Sequence, residues 1–250
     1  MASTLATSKV PEVTLGFWVI KILATTLGET GGDAVSMSLG LGYAIGTIIF
    51  MALFLAAVAA QIRATTFRPT LYWLTIIAST TVGTTLADFA DRSLGIGYAG
   101  GSTLLLALLL AALFTWHRSL GSIDVRTVSS PRSELFYWLT IMFSQTLGTA
   151  LGDWTADSAG LGYLGAAVIF GSALLLVAMA YRWTRLSHTA LFWIAFVLTR
   201  PLGAVVGDFL DKPLDHGGLA LSRYTATAVL LLAIGLCIAW LPQRAAIRQH

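Results

Sequence analysis

The sequence predicts an all-α polytopic membrane protein with eight transmembrane helices, built from four parallel two-helix repeats. Three observations predict it. Trp18, Trp73, Trp138 and Trp193 are each followed ten residues later by a glycine (Gly28, Gly83, Gly148, Gly203) and fifteen residues later by an aspartate (Asp33, Asp88, Asp153, Asp208). A period of about 55 residues marks a tandem array of supersecondary units. The chain is 56% hydrophobic and only 11% charged, with a mean hydropathy of +0.79, more apolar surface than a soluble domain of this length can hide. Each unit also holds two apolar stretches of roughly 20 residues, enough to cross ~30 Å of hydrocarbon as helix.

The first stretches run near Leu15–Ala34, Leu71–Ala87, Phe136–Gly152 and Leu191–Gly207, and the second near Tyr43–Gln61, Tyr98–Trp116, Tyr163–Tyr181 and Tyr224–Leu241. In the first three units a Leu-Gly-[Leu/Ile]-Gly-Tyr turn joins the two, ending at Tyr43, Tyr98 and Tyr163; the fourth replaces it with Leu214-Asp215-His216-Gly217-Gly218 and inserts residues before Tyr224. The one long connection, His117–Glu134, has the Gly, Ser and Pro punctuation of a flexible linker. It divides the chain into a membrane half with repeats 1 and 2 (1–120), a linker (121–132) and a half with repeats 3 and 4 (133–250). An even number of helices per unit gives every unit the same orientation, related by rotation about the membrane normal as a pseudo-fourfold ring or as two halves of two repeats.

Basic residues set the orientation. Lys9, Arg63, Arg68, Arg118, Arg126, Arg132, Arg182, Arg185, Arg244 and Arg248 fall on one side; Arg92, Lys212 and Arg223, offset by Asp91, Asp157, Asp211 and Asp215, fall on the other. The positive-inside rule places both termini in the cytoplasm. The net charge of +3 reflects that topology, so no nucleic-acid partner is expected. The N-terminal MASTLATSKVPEV lacks a cleavable-signal pattern, and the first helix is expected to stay in the mature protein. Cys237 is the only cysteine and reads as packing; His117, His188 and His216 have no partner at zinc-ligand spacing. With no P-loop, no GxSxG, no Rossmann fingerprint and no nucleophile–base pair, neither an enzyme nor a resident cofactor is expected.

The chemistry belongs to the first helix of each unit, because the second helices are nearly all Leu, Ala, Ile and Val. Positions seven, eleven and fifteen after the tryptophan share one helical face. That face carries Thr25, Glu29 and Asp33 in unit 1; Thr80, Thr84 and Asp88 in unit 2; Gln145, Thr149 and Asp153 in unit 3; and Arg200, Ala204 and Asp208 in unit 4. Beside it run Gly28/Gly32, Gly83/Ala87, Gly148/Gly152 and Gly203/Gly207, a small-xxx-small pattern that lets membrane helices approach closely. The polar stripes are then expected to converge on a central cavity, with the second helices facing lipid.

Carboxylates and hydroxyls are hard donors suited to Mg²⁺, Mn²⁺ or Ca²⁺, and four aspartates at one repeat position in an apolar helix need a reason. Glu29, Asp33, Asp88, Asp153 and Asp208, with Thr25, Thr84 and Thr149, are the candidate ion-binding residues, the five acids being the candidate metal ligands. The alternative is that the aspartates, ~27 Å along their helices and so near the membrane edge, cap the following turns. For Glu29 the alternative is an ion pair with Lys21 or Arg200, the two bases inside apolar stretches; the two readings are compatible if the pair opens during transport. Asp91, Asp157, Asp211 and Asp215 read as loop charges. The tryptophans, with Phe17, Tyr72, Tyr137 and Phe192 before them, read as an interfacial belt.

The fourfold tandem repeat, its two spans per unit, and the tryptophan and glycine–aspartate positions resemble a group of bacterial multi-pass, membrane-anchored proteins built from a repeat of unknown function. The resemblance covers Phe17 to Leu241 and implies a bacterial inner-membrane location. A shorter stretch, Leu27-Gly28-Glu29-Thr30-Gly31-Gly32-Asp33, is similar to the acidic-x-glycine-aspartate helices of certain manganese and calcium transporters, although Ala34 and Val35 stand where those families have a basic residue and a hydroxyl. The expectation is a secondary transporter or permease for a divalent cation such as manganese, possible as an exporter and driven by an ion gradient. The alternatives are a carrier of a small organic anion held by Lys21 and Arg200, and a scaffold or sensor whose stripes only join helices. The expected partners are the lipid bilayer and a small ion or solute; a homo-oligomer is compatible with the sequence.

Overall fold

The computed structural model describes residues 8–247, and among them it is all-helical apart from one isolated β-bridge between Pro11 and Ala245. Eight long helices occur: α1 (Leu15–Asp33), α2 (Gly42–Arg63), α3 (Pro69–Asp88), α4 (Tyr98–Leu120), α5 (Pro131–Asp153), α6 (Gly162–Trp183), α7 (His188–Asp211) and α8 (Arg223–Trp240). Five of them, α2, α4, α6, α7 and α8, are long and apolar enough to cross a membrane. The other three, α1, α3 and α5, carry inward-facing threonines, serines and acids that lower their hydropathy.

The odd-numbered helices form a closed inner ring, α1 against α3, α3 against α5, α5 against α7, and α7 back against α1. Glycine determines how it closes. A Cβ on Gly28 would strike Thr80, on Gly83 the backbone of Gln145, on Gly148 Arg200, and on Gly203 Thr25. In each case the glycine ten residues after one tryptophan receives the residue seven after the next. Four residues later the pattern repeats, Gly32 against Thr84, Gly152 against Ala204 and Gly207 against Glu29. Matching i, i+4 steps on both helices make the neighbours parallel, and the same interface used four times closes a pseudo-fourfold ring.

The even-numbered helices pack outside, and each leans mainly on the first helix of the following repeat: α2 on α3, α4 on α5, α6 on α7, and α8 on α1. The ring therefore continues across the 121–132 connection. Outer surfaces are apolar, with Ile48, Leu53, Leu104, Leu110, Leu164, Leu175, Val229 and Leu232 all exposed. This accords with the expectation that the second helices present the greasy face.

In repeats 1 to 3 the first helix runs past its aspartate into a π-helical turn (Ala34–Ser38, Phe89–Ser93, Trp154–Ser158). The connection to the next helix then uses two left-handed glycines, such as Gly40 (φ 68°) and Gly42 (φ 76°), a conformation open chiefly to glycine. At the opposite end the two terminal segments and the connection between the halves pack together. Ser8 Oγ donates to the Val125 carbonyl (2.7 Å), Lys9 N to Val128 O (2.8 Å), and Ala246 N to Val10 O (2.8 Å), while Lys9 Nζ lies 2.6 Å from Glu134 Oε1. The connection read as a linker packs against the ring: Val125–Thr127 forms a 3₁₀ turn, and Val125 and Val128 enter the core with Trp116 and Trp193. Its apolar residues cover the ring's lower end, which explains their presence in an otherwise polar segment.

Candidate functional site

Inside the ring the four helices contribute one residue each to layers four residues, ~6 Å, apart. The lowest layer is Phe17, Tyr72, Tyr137 and Phe192, the residues before the tryptophans. They are buried, Tyr72 and Tyr137 share a hydrogen bond (2.6 Å), and the Phe17 and Phe192 rings lie 6.1 Å apart. This corrects the interfacial-belt reading: the four aromatics plug the ring interior, and Trp73, Trp138 and Trp193 are buried behind them. Trp73 and Trp193 use their indole N–H groups to hold the segments packed at this end, on Gln243 Oε1 and Ile123 O.

Lys21 heads the next layer, fully buried, with its ammonium 4.0 Å from the Phe196 ring centre and 3.4 Å from Thr199 Oγ1. Above it come Thr25, Thr80, Gln145 and Arg200. Arg200 is 0% exposed, and its guanidinium rises one layer to the ring axis, where the small Ala204 of its own helix leaves room. There Nη2 lies 3.0 Å from Glu29 Oε2 and donates to Thr84 Oγ1 and Thr149 Oγ1, while Nη1 donates to the Thr25 carbonyl (3.3 Å). One side chain thus bonds to all three other repeats. Glu29 pairs with Arg200 and not with Lys21, one of the two pairings open at the sequence level. The expected cavity along the stripe is absent at this level: Thr25, Thr84 and Thr149 are fully buried and the space is occupied by the guanidinium.

The aspartates form the following layer. Asp33, Asp88, Asp153 and Asp208 are at most 2% exposed, and Asp33, Asp88 and Asp153 make no capping bond to the turns they precede. They point inward, chiefly to two bases, with Arg223 also 3.7 Å from Asp33. Arg92 lies 2.7 Å from Asp88 and 3.5 Å from Asp153; Lys212 lies 2.6 Å from Asp33 and 3.0 Å from Asp208. Burial alone would lower the Lys212 pKa, but Asp208 and Asp33 outweigh it and raise the ammonium well above the ordinary lysine value. Arg92 is likewise raised, by Asp88 and Asp153 against its burial.

Asp211, read from sequence as a loop charge, is 6% exposed and pairs with Arg223 at 3.1 Å. Sequence reasoning missed Arg92, Lys212, Arg223 and Asp211 as members of this group. The signal was present, since Arg92 and Lys212 both stand nineteen residues after a tryptophan, one helical turn beyond the aspartate.

Two acidic groups bring carboxylate oxygens within 4.8 Å of one another, Glu29/Asp33/Asp88 and Asp33/Asp208/Asp211. Both could hold a hard cation. Beyond the ring lies a cavity of about 410 Å³ lined by Met37, Arg92, Asp157, Tyr163, Lys212, Pro213, His216 and Arg223. The cavity borders the site through Arg92, Lys212 and Arg223, and on the other side of the aspartates the axis is filled by the Arg200 node and the aromatic layer.

A family model described as Repeat of Unknown Function (DUF347) matches the chain four times, over residues 16–67, 71–122, 136–187 and 191–244. The four matches coincide with the four structural units. No curated protein and no solved structure matches the chain.

Proposed function

The chain belongs to this family of repeats of unknown function, and on that premise we propose that it is a secondary transporter for a divalent metal cation such as Mn²⁺, in a bacterial inner membrane. All eight long helices cross the bilayer in this reading. The shortfall of α1, α3 and α5 in hydropathy is no obstacle, because α2, α4, α6 and α8 screen the inner ring from lipid. Both termini and the 121–132 connection face the cytoplasm, where the arginine excess lies.

The observation that carries the reading is the ring of four buried aspartates, one from each repeat, whose partner bases Arg92 and Lys212 line a neighbouring cavity. Carboxylates held in an apolar shell cost several kcal/mol, an expense that structure alone rarely requires four times over. Because the axis below the ring is filled, the mechanism is that of a carrier and not a standing pore. The cation exchanges at the aspartate layer with the bases held there, and passes to or from the other side when the Glu29–Arg200 node and the aromatic layer part. No covalent chemistry or resident cofactor is involved.

Two observations favour other readings. Arg92, Lys212, Arg223 and His216 at the cavity mouth suit a small organic anion, and the bonds from Arg200 to every other repeat suit a pure scaffold. Purified chain in liposomes loaded with a metal-quenched dye decides among them. Saturable Mn²⁺ entry that Asp33→Asn and Asp88→Asn diminish is expected; a wild-type protein that carries no divalent ion sinks the proposal.

A further inference from the structure

The aspartate layer is fourfold in chain position but twofold in charge. Nineteen residues after the tryptophan, repeats 2 and 4 carry Arg92 and Lys212, while repeats 1 and 3 carry Met37 and Asp157. The two bases consequently divide the ring into Asp88/Asp153 and Asp33/Asp208. The halves differ chemically. Arg92 spans its aspartates with two different nitrogens of a rigid planar fork, whereas Lys212 offers a single ammonium on a flexible stem.

The Lys212 half has a further buried acid beside its bases, Asp211. Asp211 Oδ2 accepts from Arg223 Nε, and its Oδ1, like Asp33 Oδ1, is buried without a hydrogen-bond donor. Asp33, Asp208 and Asp211 each place a carboxylate oxygen within 4.8 Å of the others. Oxygens around one Mn²⁺- or Ca²⁺-sized ion at about 2.1–2.6 Å are separated by no more than roughly 5 Å. Counting each carboxylate as ionised, three acids with Lys212 and Arg223 leave one negative charge. Replacing the lysine by a divalent ion neutralises the group.

The unusual fourth turn has a place in this arrangement. Its chain folds back so that Ala220 N donates to the Lys212 carbonyl (2.9 Å), and Gly218 lies so close to that carbonyl that no side chain fits. The backbone of Lys212 is thereby pinned while its side chain borders the cavity, the volume into which a displaced ammonium can swing.

We propose that Asp33, Asp208 and Asp211 are the exchangeable divalent-cation site, with the Lys212 ammonium as its tethered competitor, and that Asp88–Arg92–Asp153 is a fixed strut. This rests on the reading that the aspartate end takes up a cation. Displacement of Lys212 supplies selectivity for double charge, because a monovalent ion gains nothing by replacing an ammonium already in place.

The test is Mn²⁺ binding to the full chain in detergent, read as loss of the free-ion electron paramagnetic resonance signal. Asp211→Asn should weaken binding at least tenfold and several times more than Asp153→Asn; Asp215→Asn, in the exposed turn, should change nothing. Lys212→Gln should bind at least tenfold tighter, and Lys212→Arg, which keeps the charge and adds a fork, should bind more weakly than wild type. The opposed pair keeps the test decisive if one variant misfolds. Absence of Mn²⁺ binding by wild type, no gain in Lys212→Gln, or equal losses in Asp153→Asn and Asp211→Asn would each overturn the assignment. The same proteins in liposomes separate it from the transport reading: the binding pattern without flux sustains this site and removes the carrier.

Discussion

Arg200 Nη2 lies 3.0 Å from Glu29 Oε2 at the ring axis, joining helices 171 residues apart in a place from which both are hidden from solvent. The pair is the only glutamate–arginine contact in the layered interior among the described residues, and it decides what each single substitution there does. Removing one partner leaves a buried charge uncompensated, at a cost of about 3–5 kcal/mol, whereas removing both is nearly neutral. Glu29→Gln should therefore lower the unfolding temperature in detergent sharply, and Glu29→Gln with Arg200→Met should recover most of the loss. In liposomes Glu29→Gln should also abolish cation flux or its pH dependence while still inserting into membranes. A double variant no better than the singles would remove the pairwise account.

The ring glycines predict a positional contrast. Gly83→Ala puts a Cβ 2.9 Å from the Gln145 backbone, and Gly203→Ala drives one into Thr25. Overpacking of this kind costs about 1–3 kcal/mol. Gly171→Ala and Gly235→Ala, on outer helices with nothing near, should be neutral or stabilise by up to ~1 kcal/mol through helix propensity. Thermal unfolding of the four variants reads the difference directly.

Accessibility should follow the layers. Cysteines at Thr84 and Thr149 should resist small water-soluble thiol reagents, because Arg200 fills that level, and cysteines at Met37 and His216, on the cavity wall, should react. Cysteines at Leu106 and Leu175, exposed on the outer helices, should be refractory to charged reagents and open to lipid-soluble ones. Rapid labelling at Thr84 would show an open axis.

Lys212 gives a pH expectation with a defined sign. A lysine held above its unfolded value contributes stability that is complete below that value, about 10.4, and is lost progressively as pH rises from there to the folded value. The stability gap between wild type and Lys212→Gln should stay level from pH 8 to about pH 10 and shrink beyond it. A gap already falling by pH 9 would mean the ammonium is not held by Asp208 and Asp33.

Topology is checked by reporter fusions at Ser122 and after His250, both expected to report cytoplasm. A signal from the far side at either position would invert the reading of the arginine distribution.

The sequence alone determined the repeat, the helical class, the glycine seams and the polar face, because each is a periodic property of one helix and can be counted along the chain. It also singled out Glu29, Arg200 and the four aspartates, since charge in an apolar stretch is conspicuous wherever it points. Only the tertiary structure decided what those groups meet. Glu29 takes Arg200 and leaves Lys21 to an aromatic ring, the aspartates turn inward to Arg92 and Lys212 instead of capping turns, and the belt aromatics become a plug. The reason is that pairing depends on which helix neighbours which. A ring that sets each repeat's glycines against the next repeat's polar face brings together side chains a full repeat or three apart, separations along the chain at which no local pattern carries information.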